Sequence, residues 1–135
     1  MNIDNGNTKL VLNILKSDLN NGLSDDDYWC LVDFDIKNDN FRLKSSLYLI
    51  SKNEYYDLIN NLKLFIYGNF IKKSRIVFIK NYFVVYLNTT LRKGKDMKIK
   101  LIHINNYKDN YVLYFNKEEI INFLEHLELF KKTIN

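Results

Sequence analysis

The sequence predicts an α+β fold, with a mostly antiparallel, twisted sheet of about seven strands and two helices packed on one face of that sheet. Two observations favour this class. The expected elements follow the order βββ-α-ββββ-α, so helices do not alternate with strands as a parallel doubly wound sheet requires. Turn signals separate most of the strands, which is typical of antiparallel hairpins. At 135 residues, the chain is expected to form a single domain over residues 1–135.

Alternating apolar residues predict three strands before the first helix. The segment KLVLNIL at 9–15 places leucine and isoleucine on one face. In YWCLVDFDI at 28–36, the even positions from Cys30 to Ile36 are apolar and belong against a core, whereas the odd positions become polar. That pattern indicates a sheet with one largely wet face. The Asn/Asp-rich segment KNDN then predicts a tight turn into a strand at 41–50.

Two capping boxes predict where the helices begin. Ser51 and Glu54 form the first, and Asn116 and Glu119 form the second. Gly68 is expected to end the first helix in the left-handed conformation. Apolar residues at helical spacing predict the buried stripes: Tyr55, Leu58, Ile59, Leu62, Phe65 and Ile66 in the first helix, and Ile120, Phe123, Leu124, Leu127 and Phe130 in the second. Four strands are predicted between the helices, at 75–79, 83–87, 97–104 and 111–115.

The sequence offers no set of residues for catalysis or metal binding. Its only cysteine, Cys30, falls in the buried register of its strand, where a thiol behaves as a small apolar group. Its two histidines, His103 and His126, are far apart and have no cysteine nearby. Isolated glycines exclude a glycine-rich phosphate loop. We therefore expect no catalytic residues, no metal and no cofactor, and we expect that the protein is not an enzyme.

The charge balance leaves a nucleic-acid interpretation open. The chain has 20 basic and 16 acidic residues, a formal net charge of +4. The basic residues cluster in two segments where turns are expected, at 72–75 and 92–98, and exposed turns are commonly lysine-rich for solubility alone. If the clusters instead bind phosphate, the chain is a small nucleic-acid-binding module that uses Lys72, Lys73, Arg75, Arg92, Lys93 and Lys95.

An acidic segment beside the only tryptophan suggests a different binding surface. The stretch SDDDYWCLVDF at 24–34 leads from three aspartates into the odd positions of the strand at 28–36. An aromatic anchor with a charged rim is typical of a protein-binding patch. The alternative is that the tryptophan covers the sheet beneath a loop and that the aspartates are simply solvated. The candidate partner-binding residues are Asp25, Asp26, Asp27, Trp29, Asp33 and Asp35.

Several of these segments together resemble the WapI-type immunity proteins of bacterial polymorphic toxin systems. The resemblance is carried by TKLVLNIL, by DDYWCLVDFDI after an acidic loop, and by FRLKSSLYLISKNEYYDLINNLKLFIYG. It continues through RIVFI, FVVYL, MKIKLIHI and YVLYFNKEEIINFLEHL, and so covers nearly the whole chain.

The resemblance implies a small binding protein without enzymatic activity of its own. Such a protein sequesters the toxic domain of a cognate toxin and blocks its active or substrate-binding surface. The expected partner is therefore a protein, with nucleic acid as the alternative. The first residues contain no basic start followed by an apolar core, and the apolar runs are short, so we expect a cytoplasmic protein that does not insert into membranes.

Overall fold

In a computed structural model, the chain forms antiparallel sheets and two helices, which confirms the α+β class. The structure describes residues 2–4, 9–19, 28–37, 42–68, 73–78, 83–90, 94–101 and 111–134. The strands are β1 (Asn2–Asp4), β2 (Lys9–Leu19), β3 (Tyr28–Lys37), β4 (Arg42–Ser51), β5 (Lys73–Val77), β6 (Phe83–Thr90), β7 (Gly94–Leu101) and β8 (Tyr111–Phe115). The helices are α1 (Lys52–Tyr67) and α2 (Lys117–Ile134).

The strands belong to two four-stranded sheets, where the sequence suggested one sheet of about seven. Sheet A has the order β1-β2-β3-β4, and sheet B has the order β5-β6-β7-β8. Both are antiparallel throughout. Strand β1 was not predicted, because three residues are too short to show alternation. Strand periodicity also says nothing about pairing across α1, so it could not separate the two sheets.

The chain divides into two compact units. The first contains Met1–Tyr56 and His126–Asn135, and the second contains Asp57–Glu125. Each sheet is followed by a helix, so the order ββββα occurs twice although the sequence shows no repeat at a fixed period. The prediction of one domain over residues 1–135 stays a prediction.

Both helices begin at the predicted capping boxes. The Glu54 amide donates to the Ser51 hydroxyl oxygen at 3.1 Å, and the Ser51 amide donates to the Glu54 carboxylate at 3.0 Å. Asn116 and Glu119 make the same reciprocal pair, at 2.8 and 3.1 Å. Each box satisfies backbone donors that a helix start otherwise leaves open.

The helical stripes are buried as predicted, with one exception. All six predicted residues of α1 are buried, and so are Ile120, Phe123, Leu124 and Leu127 of α2, whereas Phe130 is partly exposed. In the first unit, the Tyr55 hydroxyl donates to the Leu127 carbonyl, so it keeps a partner in the core. Burial raises the pKa of Tyr55 above its usual range. None of the helices in the described ranges is long and apolar enough to cross a membrane.

The end of α1 corrects one prediction. The Gly68 amide donates to the Leu64 carbonyl at 2.8 Å, so the glycine does close the helix. Its φ lies outside the left-handed region, however. Glycine is needed there because a Cβ would lie 2.3 Å from the Leu64 carbonyl oxygen. The requirement is therefore close backbone approach and not a left-handed turn.

Candidate functional site

The acidic candidate surface lies partly outside the described residues and partly on sheet A. Asp25, Asp26 and Asp27 fall outside the described ranges. Asp33 and Asp35 lie on β3 with partly exposed side chains, on the face opposite the buried Cys30, Val32 and Ile36. We call the outward residues of this part of sheet A the A face: Lys9, Val11, Asn13, Asp33, Asp35, Lys37, Arg42, Lys44 and Ser46.

Both described aspartates of the A face are held by neighbours on β4. The Arg42 guanidinium donates to both carboxylate oxygens of Asp35, at 3.1 and 2.8 Å. This hydrogen-bonded pair holds the pKa of Asp35 below its usual value and raises the pKa of Arg42. The Ser46 hydroxyl donates to Asp33 at 2.8 Å. Both carboxylates therefore accept hydrogen bonds from side chains of the same sheet. Their role in partner binding stays a prediction.

Trp29 is fully buried, so the interpretation of an exposed aromatic anchor is wrong, and the burial agrees with the alternative interpretation. Trp29 pairs in register with Ser51, the residue at which α1 begins, and Ser51 is buried as well. The register slips on both sides of β3 near this point, once against β2 and once against β4. Such bulges increase the local twist of the sheet. The extra residues lie in β2 and β4, so Trp29 and Cys30 remain adjacent in β3, and both are fully buried. Trp29 belongs to the core and is not an exposed anchor.

Cys30 lies in the core as predicted. Its side chain is fully buried, and burial raises the pKa of the thiol to about 12. The thiol therefore stays protonated at neutral pH and packs as a small apolar group. His103 lies outside the described residues, and His126 is partly exposed on α2. Within the described ranges, no group of three or more His, Cys, Asp or Glu side chains could hold a metal ion.

The basic candidates are divided among three locations. Lys72, Arg92 and Lys93 lie outside the described residues. Lys95 points to the helix side of sheet B, where its ammonium donates to the Ile66 carbonyl at 3.0 Å and lies 5.6 Å from the Phe65 ring centre. A cation at the C-terminal end of α1 satisfies an open carbonyl, so Lys95 has a structural role. Lys73 and Arg75 lie on strand β5.

Strands β6, β7 and β8 of sheet B each alternate between a buried and an outward set of residues. The buried set includes Val85, Leu87, Met97, Ile99, Leu113 and Phe115. Gly94 begins β7 with a φ of 72°, in the left-handed region that favours glycine, and pairs with Thr90 of β6. The register of β7 against β6 determines which face its lysines occupy, because a slip of one residue would turn the outward lysines of β7 into the core.

One row of four residues crosses all of sheet B on its outward side. Arg75 of β5 pairs with Tyr86 of β6, Tyr86 pairs with Lys98 of β7, and Lys98 pairs with Tyr114 of β8. Cationic and aromatic side chains therefore alternate along the row. We call these residues the cation–tyrosine row. Adjacent strands lie about 4.8 Å apart, so the row extends over about 14 Å.

The two cations of the row both lie over the ring of Tyr86. The Lys98 ammonium is 4.6 Å from the ring centre, and the Arg75 guanidinium carbon is 5.9 Å from it. Tyr86 is partly exposed, Arg75 is exposed, and Tyr114 is 64% exposed. Cation–π attraction orients the long basic side chains without adding an opposite charge of its own.

The residues beside the row determine its extent. We call the outward side of sheet B the B face: Arg75, Val77, Val84, Tyr86, Asn88, Asp96, Lys98, Lys100, Val112 and Tyr114. Lys100 adds a third cation, diagonal to Tyr114. Asp96 is the single carboxylate among these described residues. Val84 is fully buried despite its outward register, so the accessible surface is centred on the cation–tyrosine row.

Sequence reasoning identified Arg75 but missed both tyrosines of the row. It assigned the basic residues to turns, and only the strand register aligns Arg75, Lys98 and the tyrosines. A usable signal was present in the alternation of MKIKLI, where lysines at 98 and 100 alternate with buried residues, and in YVLYF, where Tyr114 lies between buried residues. The pairing between the strands could not be predicted from the sequence.

Comparisons with known proteins show no family for this chain. No protein-family model matches the sequence, and no curated protein matches it. The WapI-type resemblance therefore stays a prediction. Among solved structures, the chain is similar to WHY3 from Arabidopsis thaliana, with 10% identity, a TM-score of 0.47, and coverage of 99% of this chain and 86% of that one. It is also similar to WHY1 from Arabidopsis thaliana, with 10% identity, a TM-score of 0.49, and coverage of 99% and 83%.

Proposed function

We propose that the chain binds single-stranded nucleic acid on the B face. The observation that carries this proposal is the cation–tyrosine row, in which Arg75, Tyr86, Lys98 and Tyr114 align across four strands. Arginine and lysine attract phosphates, and tyrosine rings offer a surface on which bases stack. A sheet that displays both is suited to a chain carrying phosphates and unstacked bases.

A single strand fits this surface better than a duplex does. Bases inside a duplex are stacked on each other, so a tyrosine ring standing out from a sheet cannot reach their faces. In a single strand, the bases are free to leave one another and stack on Tyr114. The row extends over only about 14 Å, so the site holds a few nucleotides at most. Such a short site predicts modest affinity that is strongest at low salt.

The charge of the whole chain supports the same interpretation. The formal net charge is +4 and the sequence pI is about 9.0. A net positive charge raises the local concentration of any polyanion and speeds its association. Net charge alone is a weak argument, because it does not select nucleic acid among anionic partners. The exposed ring of Tyr114 supplies that selection, since a base can stack on it and a simple anion cannot.

The test is a binding titration with a fluorescently labelled 15-nucleotide single strand at low salt, followed by anisotropy. The test variant carries Arg75→Gln, Lys98→Gln and Lys100→Gln. The matched control carries Lys9→Gln, Lys37→Gln and Lys44→Gln, which remove the same charge from exposed positions of the A face. We expect the test variant to lose most of its binding and the control to keep most of it.

Salt dependence provides a second measurement in the same titration. If three phosphates are contacted, the logarithm of the binding constant should fall with the logarithm of salt concentration with a slope of about −2. The test variant should show a slope close to zero. Equal losses in both triple variants would mean that net charge, and not the B face, causes the binding. Absence of binding by the unmodified protein would refute the proposal.

A further inference from the structure

We infer that the two tyrosines of the cation–tyrosine row have different tasks, with Tyr114 providing the stacking surface for a base and Tyr86 positioning the cations that receive phosphate. This inference rests on the proposed function and specifies how a nucleotide lies on the B face. The two residues belong to the same row and the same sheet. They differ in what surrounds their rings.

Two cations already lie over the ring of Tyr86. Lys98 lies 4.6 Å from its centre and Arg75 lies 5.9 Å from it, and the side chain is only partly exposed. A base that stacked on Tyr86 would have to displace a cation from the ring and would lose that attraction. Tyr86 therefore offers a poor site for a base. It is well placed to hold two flexible basic side chains beside each other.

The ring of Tyr114 is open. Its residue is 64% exposed, and no cation or second aromatic ring contacts it within the described part of the chain. It stands on β8 beside Lys98 and diagonal to Lys100. Diagonal neighbours on a sheet face are about 7–8 Å apart, within reach of a lysine side chain. A nucleotide whose base lies on Tyr114 thus has two ammonium groups near its phosphate.

Lys98 connects the two tasks. Its ammonium lies over Tyr86 in the absence of ligand, and its strand position is next to Tyr114. A phosphate beside Tyr114 can draw this ammonium away from the ring, because a charge-assisted hydrogen bond is stronger than an exposed cation–π contact. Tyr86 then acts as a positioning residue, which holds Lys98 near the site before the nucleotide arrives.

The experiment separates stacking from phosphate binding by comparing two ligands. One is a 15-nucleotide single strand, in DNA and RNA forms, and the other is an abasic strand of the same length that has phosphates and sugars only. Each is titrated against the unmodified protein, Tyr114→Leu and Tyr86→Leu. Leucine keeps an apolar side chain of moderate size on the strand, and circular dichroism checks that each variant is folded.

Tyr114→Leu should weaken binding of the base-containing strand by about 5- to 150-fold, the cost of losing one stacked base, and should leave abasic binding unchanged. Tyr86→Leu should weaken both ligands by the same, smaller factor. If Tyr86→Leu instead discriminates between the ligands and Tyr114→Leu does not, the assignment of tasks is wrong. The same is true if neither variant discriminates, because the tyrosines then do not stack on bases.

The ligand forms also distinguish failure of this inference from failure of the proposed function. If the unmodified protein binds neither strand at low salt, the proposed function fails and the inference fails with it. If it binds both strands equally well, phosphate binding stands and base stacking is refuted. A tighter binding of either the DNA or the RNA strand would identify the preferred nucleic acid, since the two differ in the 2′-hydroxyl of the sugar.

Discussion

The A face and the B face belong to sheets of the same size and topology, but they use their charges in opposite ways. On the A face, the Arg42 guanidinium is bound to both oxygens of Asp35. On the B face, Arg75 and Lys98 lie over a tyrosine ring. A carboxylate neutralises the cation that it binds, whereas an aromatic ring orients a cation and leaves its charge available.

This difference lies in the outward residues and not in the fold that presents them. The order ββββα occurs twice along the chain, and both helices begin with a capping box. The sheets therefore provide two similar scaffolds. Among the described side chains of the two faces, only those of the B face combine aromatic rings with cations, and that combination makes the B face a candidate for binding single-stranded nucleic acid.

The largest expected effect is the loss of stability when the buried Trp29 of sheet A is replaced. Trp29→Ala should lower the free energy of unfolding by about 3–5 kcal/mol, because it removes a fully buried aromatic side chain. The measurement is urea denaturation followed by circular dichroism. Asp33→Ala is the matched control on the same strand and should cost much less, since its side chain is partly exposed. If both variants lowered the free energy of unfolding by a similar small amount, Trp29 would not be a buried residue.

Trp29 also shows what alternation can and cannot predict. The pattern of β3 correctly placed Cys30, Val32 and Ile36 in the core. It left the burial of Trp29 undecided, because alternation does not reveal whether the outward side of a strand is covered. Helix starts were predicted correctly, since a capping box is a contact between residues three positions apart. Local contacts are readable in one sequence, and pairing between distant segments is not.

The next effect compares the capping boxes of the two units. Ser51→Ala should cost about 1–2 kcal/mol of stability and Asn116→Ala about 0.5–1 kcal/mol. The reason for the difference is burial: Ser51 is 1% exposed, whereas Asn116 is exposed and water can replace its side chain. Urea denaturation of the two variants measures both costs. Equal costs would mean that water reaches both helix starts equally well.

The cation–tyrosine row could not be predicted from the sequence, because it depends on pairing between separate strands. The basic segments at 72–75 and 92–98 were noticed, and Arg75 and Lys98 fall within them. Their alignment with Tyr86 and Tyr114 depends on three strand pairings. Lys95 was included among the candidates because the sequence placed it in a turn. It lies on β7, and its ammonium donates to the Ile66 carbonyl at the end of α1.

A smaller effect tests the contrast between the faces by reversing one charge on each. Lys98→Glu should weaken single-strand binding and reduce the salt slope by about 0.7, as expected for the loss of one phosphate contact. Lys37→Glu makes the same change on the A face, at an exposed position between two other basic residues. It should reduce affinity slightly through net charge and leave the slope unchanged. Equal changes of slope would show that both faces contact the ligand.

The smallest effect concerns the pH dependence of the A face. The hydrogen bonds from Arg42 hold the pKa of Asp35 below its usual value, so the ionised carboxylate is favoured in the folded state. Its contribution to stability is complete above the usual aspartate pKa of about 4 and is lost as pH falls through the lower folded value. Asp35→Asn should therefore be less stable than the unmodified protein at pH 7, and the difference should shrink as the pH is lowered toward 3.

Urea denaturation at a series of pH values measures this difference. The effect should be small, because the pair is at the surface, where the Arg42 side chain is 58% exposed and solvent screens the attraction. Arg42→Gln should reproduce the pH behaviour of Asp35→Asn, since either change removes the same hydrogen bonds. A stability difference that stays constant with pH would mean that Asp35 acts through packing, and its carboxylate would then be available to a partner after all.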